Sequence, residues 1–152
     1  MAKIERILVP VDFSASSKAA IQYAQFLASK VGASLDILHV ANPSEVRGDD
    51  DVAILTRGVP GSTMEVYNEH LIQEKLNAFV KEAGLGRTVR NDEIEEGKDS
   101  AELICKVAKE RGYDLIVMGV RGRKGLERLL GTVTQKVSSS APCPVLTCRG
   151  EG

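Results

Sequence analysis

At 152 residues with a formal net charge of −1, the chain has the length of one ordinary domain and no excess of basic charge to recruit nucleic acid. Its 43% hydrophobic and 27% charged content is that of a water-soluble globular protein. No apolar run approaches the roughly 18 residues of a membrane span, and the opening MAKIERILVPV lacks the layout of a signal peptide, so a single domain over 1–152 and a cytoplasmic location are expected.

Five segments read as strands: 4–12 (IERILVPVD), 34–41 (SLDILHVA), 90–97 (RNDEIEEG), 114–119 (DLIVMG) and 145–149 (VLTCR). The first, second and fourth carry Ile, Leu and Val on both faces, as strands covered on both sides do. The third is mostly polar and the last is short, which suits sheet edges. Between the strands, Ser16 to Val31 reads as a helix that presents Ala20, Ala24, Leu27, Ala28 and Val31 on one face and ends at Gly32. A second helix is expected from about Thr63 to Ala83, opened by a Ser62-x-x-Glu65 capping box and striped by Ile72, Leu76, Phe79, Val80 and Ala83. A third opens at Asp99 with Glu102 three residues on, buries Ala101, Ile104, Cys105 and Ala108, and stops at Gly112. The fourth runs from Thr132 to about Ser139 and ends before Pro142, which disfavours helix at the residue before it. Strict alternation of strand and helix implies an α/β fold of parallel strands with helices on both faces. The connection over 42–61 is much longer than the ~2–6 residues usual there, and its Asp49-Asp50-Asp51 run reads as a solvated acidic loop, not a calcium site.

Chemistry concentrates after the first and fourth strands. The fourth strand leads into MGVRGRKGLERLLGTVTQKV, in which glycine turns dense in Arg and Lys precede a helix that starts at Gly131-Thr132. Glycines let a backbone approach an anion closely, and a helix N-terminus offers amides and a favourable dipole. Arg121, Arg123, Lys124 and Arg128 add positive field. On spacing alone the stretch serves equally well as a surface turn. Its placement favours the anion site, because open parallel sheets bind ligands beyond the carboxyl ends of their strands, where the strand order reverses. If the first and fourth strands are neighbours, Asp12 lies opposite Gly119 and Gly122. Neither a P-loop nor a G-x-G-x-x-G fingerprint is present, and Asp12 lacks the second aspartate of phosphotransferring hydrolases. His39 and His70 have no nucleophile context and read as structural or surface residues. Cys105, Cys143 and Cys148 fit neither a zinc spacing nor a disulfide framework and read as buried, reduced thiols.

Four stretches together, ILVPVDFSASSKAAIQYAQFLA, LDILHV, EGKDSAELICKVAKERGYDLIVMG and GTVTQKVSSSAPCPVLTCR, resemble the universal stress protein family over nearly the whole chain. The resemblance implies a Rossmann-like, doubly wound, open parallel five-stranded sheet of order 3-2-1-4-5 with helices on both faces, often as a homodimer. Its ATP-binding branch carries G-x2-G-x9-G-[ST], which falls here on Gly119, Gly122, Gly131 and Thr132, with eight residues in place of nine between Gly122 and Gly131. Gly125 gives that loop latitude to absorb the difference. Carried over position by position, Pro10, Val11, Asp12, Val40, Met118, Gly119, Arg121, Gly122, Gly131, Thr132 and Val133 would line an adenine nucleotide. Asp12 would stand by the ribose and phosphates, where it would help hold Mg²⁺, and the Val40 backbone would face adenine. Gly119 and Gly122 would line ribose and phosphate, and Gly131 and Thr132 would hold the phosphate tail.

The expected function is therefore ATP binding by a stress-responsive regulatory protein with little or no turnover, AMP and ADP being alternative ligands. A slow ATPase would have Asp12 as its one acidic candidate. A third reading is a dimeric interaction module that binds no nucleotide. In each case the uncharged Val145–Cys148 run would form an edge open to pairing, so a homodimer through Cys143–Arg149 is expected.

Overall fold

The computed structural model describes residues 2–41, 74–85, 94–96, 100–120 and 131–150. Strands β1 (Arg6–Pro10), β2 (Ser34–Ala41), β3 (Ile94–Glu96), β4 (Leu115–Gly119) and β5 (Val145–Cys148) alternate with helices α1 (Ala15–Val31), α2 (residues 74–82), α3 (Ser100–Glu110) and α4 (Thr132–Ser140). The strands are parallel and lie in the order β3-β2-β1-β4-β5. Four of them, β2-β1-β4-β5, form the body of the sheet, and β3 pairs only with the C-terminal end of β2, His39 to Ala41.

Residues alternate between two buried layers, as the period of a strand requires. Ile7, Val9, Leu35, Ile37, Leu115 and Val117 face α1 and α2, where they meet Ala20, Ile21, Ala24, Leu76 and Val80. Leu8, Leu38, Val40, Ile116 and Met118 face α3 and α4, where they meet Ala101, Ile104, Ala108 and Val137. The apolar content of β1, β2 and β4 on both faces is thus consumed by two helical layers. Burial of Ile7, Leu8, Ile37, Ile116 and other fully covered aliphatic side chains, at about 1.5–3 kcal/mol each, is the main stabilising term.

Several boundaries and faces differ from the sequence expectation. The first strand is confined to Arg6–Pro10 and the helix after it starts one residue earlier than expected. Ser14 caps that helix by accepting from the Ser17 amide, and Gly32 at φ 73 ends it. Val31, expected in the core, is 50% exposed because it lies on the last turn, at the margin of the sheet, while Ile21 takes a central place. In α3, Cys105 is only half-buried and Val107 fills the core position beside Ile104 and Ala108. Cys143 is also half-buried, and Cys148 alone of the three thiols is fully covered. Gly112, at φ 69, reverses the chain after α3 as expected. The Ser62–Glu65 box, Ile72, the acidic run at 49–51, His70 and Asp99 lie outside the described residues.

One polar contact fixes the register that matters for the site. Asp114, immediately before β4, accepts from the amides of Glu5 and Arg6 at 2.9 and 3.0 Å. This clamps the starts of β1 and β4 side by side, with Ile7 opposite Leu115 and Leu8 opposite Ile116. Since both strands rise equally per residue, their C-terminal ends, Pro10 and Gly119, emerge together.

Candidate functional site at the carboxyl edge of the sheet

Beyond Pro10 the chain makes a tight left-handed step. Val11 still donates to the Leu38 carbonyl at 2.8 Å, and Asp12 then closes a local turn in which its Oδ1 accepts from the Ser14 amide at 3.0 Å. Phe13 between them has φ 67, the one positive value at a non-glycine residue among the described residues. A bulky side chain in that region costs about 1–2 kcal/mol, so packing has to offset it. The ring stands 4.5 Å from the His39 ring and meets Phe79 edge-on at 5.4 Å, while the Lys75 ammonium sits 4.7 Å from its centre. His39 is buried, and its Nδ1 hydrogen-bonds the Val11 carbonyl at 2.9 Å, which gives it the structural role expected of it.

The first turn of α1 carries three buried serines, Ser14, Ser16 and Ser17. Ser17 Oγ donates to the Ser14 carbonyl at 3.1 Å and lies 3.4 Å from the Asp12 amide; the Ser14 and Ser16 hydroxyls are 3.2 Å apart. Ser16 packs on Gly119: a Cβ built there would lie 2.3 Å from Ser16 Oγ and 2.8 Å from the Ser16 backbone carbon. The glycine expected to admit a phosphate is therefore needed to admit a helix. Gly150, in a tail that the sequence leaves without a role, is packed in the same way, since its Cβ would lie 2.4 Å from the backbone carbon of Ala15.

On the other side of Gly119, its carbonyl accepts from the buried Thr134 hydroxyl at 2.8 Å. Val120 donates to the Cys148 carbonyl at 2.9 Å, and the Val120 carbonyl accepts from the Gly131 amide at 2.8 Å. The chain thus leaves β4 and returns to the start of α4 at one point on the sheet edge. Gly131 is the N-cap of α4 and has no side chain to cap with, and its amide, expected to be free for a phosphate, is spent on Val120. Among the described residues no side chain caps the amides of the first turn, Thr132 to Thr134, and such amides have no partner within a helix. Thr132 is exposed and Val133 half-buried against the α3–α4 core.

The structure accordingly brings Pro10, Val11, Asp12, Met118, Gly119, Gly131, Thr132 and Val133 to one edge, linked by the serines of α1 and by Thr134. Val40 reaches the same edge: the β1–β2 ladder ends at Pro10 opposite Leu38, so the Val40 backbone lies beyond it on that side while its side chain is buried. Arg121 and Gly122, with the eight residues that follow, lie outside the described residues. Phe13, Ser16, Thr134 and Gly150 are the participants that sequence reasoning missed. A hydroxyl at the third helical position of α4 is the one signal that singles out Thr134; a phenylalanine in a turn carries none. Among the described residues, Asp12 is half-buried with its second carboxylate oxygen unpaired, and no group of three or more His, Cys, Asp and Glu side chains forms. A recess of about 560 Å³, lined by Cys105, Lys106, Lys109, Glu110, Ser140 and Pro142, lies at the ends of α3 and α4, the opposite margin of the sheet, and takes no part in this edge.

The sequence profile of the universal stress protein family matches residues 3–149. The chain belongs to that family. The universal stress protein YxiE of Bacillus subtilis is 35% identical over 147 residues, covering 95% of this chain and 98% of that one. The solved structure of the universal stress protein MJ0577 of Methanocaldococcus jannaschii superposes with a TM-score of 0.70 at 25% identity, covering 99% of both chains. Two more distant universal stress protein structures share the fold: one in complex with cAMP, at 23% identity and TM-score 0.60 over 99% of this chain and 100% of that one, and one from Archaeoglobus fulgidus in complex with dAMP, at 16% and 0.59 over 97% and 99%. No helix among the described residues is long and apolar enough to cross a membrane.

Proposed function

We propose that this universal stress protein binds an adenine nucleotide, with ATP as the ligand, at the carboxyl edge of β1, β2 and β4, and acts as a regulatory protein with little or no turnover. The observation that carries this reading is the pairing of two features at the junction of β1 and β4. The N-terminus of α4 opens there without a side-chain cap, and the half-buried Asp12 keeps one carboxylate oxygen unpaired among the described residues. The first suits a phosphate, through amides and helix dipole; the second suits a ribose hydroxyl or a nucleotide-bound Mg²⁺. Strand order reverses between β1 and β4, where parallel sheets bind their ligands. Family members seen with cAMP and dAMP support a nucleotide at this fold.

In this reading Asp12 orients the ribose end and the Val40 backbone receives the base. Thr132, Val133 and Thr134 present their amides to the phosphates, and Gly119, Arg121 and Gly122 complete the wall. Gly131 acts by closing the loop, since its own amide is engaged. The protein pairs with a second copy through the edge strand at Cys143–Arg149.

Isothermal titration calorimetry with ATP, with and without Mg²⁺, tests the reading. Wild type should bind with one site per chain, and Asp12→Ala should weaken binding at least tenfold, about 1.4 kcal/mol. Absence of binding by wild type would leave the dimeric interaction module, a reading to which the use of Gly119 for helix packing also lends itself.

A further inference from the structure

Among the described residues of the candidate site, Phe13 departs most from ordinary backbone geometry, and nothing about nucleotide binding demands an aromatic ring there. Its φ of 67 is a conformation that glycine or asparagine adopts at less cost, yet the position holds phenylalanine. The half-buried ring packs against the α1–α2 layer, 4.5 Å from His39 of β2 and 5.4 Å from Phe79 of α2, with the Lys75 ammonium of α2 lying 4.7 Å from its centre. The two partners are themselves fixed. His39 is tied to the Val11 carbonyl, one residue before Asp12, and Phe79 is buried among Val80, Leu76 and the α1 face. On the opposite side of the turn, the Asp12 carboxylate bridges back to the Ser14 amide across Phe13.

A strained residue flanked by the site's carboxylate and locked by distant packing is an arrangement in which packing sets the carboxylate's direction. We infer that Phe13 is a positioning residue: its ring, gripped between His39 and Phe79, holds the left-handed turn that aims Asp12 at the ligand, so nucleotide affinity depends on how α2 is docked. This rests on the nucleotide reading of the same edge, and it adds α2, through Phe79, as the element that tunes it. The grip acts only through Asp12. Loss of the ring therefore lowers affinity by the amount that a correctly aimed Asp12 contributes, and by no more.

The test is a double-mutant cycle on ATP affinity, measured by calorimetry, with Phe13→Gly, Asp12→Ala and the double variant. Glycine accepts the native φ, so the fold is retained while the ring is lost. Phe13→Gly should weaken ATP binding about tenfold, and in the Asp12→Ala background it should have no further effect, because coupled residues are non-additive. Phe79→Leu, which loosens the grip from the far side, should weaken binding in the same direction, with its effect likewise abolished by Asp12→Ala. Additive losses would show that Phe13 acts independently of Asp12, and would overturn the inference, as would unchanged affinity in Phe13→Gly. If wild type itself fails to bind ATP, the nucleotide reading falls, and hydrogen exchange decides the positioning role separately. The Ser14 amide, protected by Asp12, should exchange at least tenfold faster in both Phe13→Gly and Phe79→Leu while the amides of Ile7 and Val9 stay protected. Unchanged Ser14 exchange would overturn it.

Discussion

The amide of Gly131 donates to the carbonyl of Val120 across 2.8 Å, joining the end of β4 to the start of α4. The end of β4 and the start of α4 thereby meet at one point on the sheet edge, beside Gly119 and the first turn of α1.

Replacing Gly131 separates this closure from the glycine itself. Its φ of −60 and ψ of 156 are open to alanine and to proline alike, but proline has no N–H to give. Gly131→Ala is expected to leave stability within about 0.5 kcal/mol of wild type. Gly131→Pro should lose a further ~1 kcal/mol in urea denaturation and weaken ATP binding at the same time. Equal behaviour of the two variants would show that the bond is dispensable.

Gly119 is predicted to be a stability residue before it is a ligand residue. A methyl group there would press on the backbone of Ser16 at 2.8 Å as well as on its hydroxyl, and backbone cannot move aside as a side-chain tip can. Gly119→Ala should cost about 1–3 kcal/mol in denaturant unfolding. Combining it with Ser16→Gly, which removes the hydroxymethyl group, should recover part of that loss. No recovery would mean that the backbone contact accounts for all of it.

The outer edge of β5 bears on assembly. β5 lies last in the sheet, paired with β4 along Val145 to Cys148, and Leu146 is 37% exposed in the single chain. Sedimentation velocity should report a dimer for wild type and a shift toward monomer for Leu146→Lys, which brings like charges together across a two-fold axis. The same mass for both would place the interface elsewhere.

The thiols should respond to alkali. Burial pushes the Cys148 thiol above its ordinary pKa; burial first, then the Asp114 charge and the nearby Cys105, push Cys143 up as well, against a smaller lowering by the Ile116 backbone. Alkylation of Cys143 and Cys148 by iodoacetamide, followed by mass spectrometry, should be slow at neutral pH relative to free cysteine and should rise only above the ordinary thiol range. The sign for stability follows from the same shifts. In the unfolded chain these thiols ionise at lower pH than in the folded one, so their contribution is complete below the unfolded value and is lost as pH rises through the folded values. Labelling as fast as that of the free amino acid would contradict this.

The alternation of apolar strands with striped helices is a local property of the chain, and it determined the α/β class, the two-sided burial of β1, β2 and β4, and the polar or short character of the edge strands. The Gly32 and Gly112 stops and the Pro142 break were legible for the same reason, since each glycine acts through its own φ and the proline ring holds the residue before it, Ala141, extended. The meeting of Asp12 with Gly119 and Gly131 was legible only on the condition that the first and fourth strands pair. That condition is met by contacts far apart in sequence, above all Asp114 with the amides of Glu5 and Arg6. Tertiary structure alone decided what the glycines do: Gly119 and Gly150 yield space to α1, and Gly131 gives its amide to Val120. It also decided that Phe13 sits in a left-handed turn. A glycine in a sequence announces that a Cβ is unwelcome, but whether a ligand or a neighbouring helix occupies the space is settled by packing between elements that the sequence places more than a hundred residues apart.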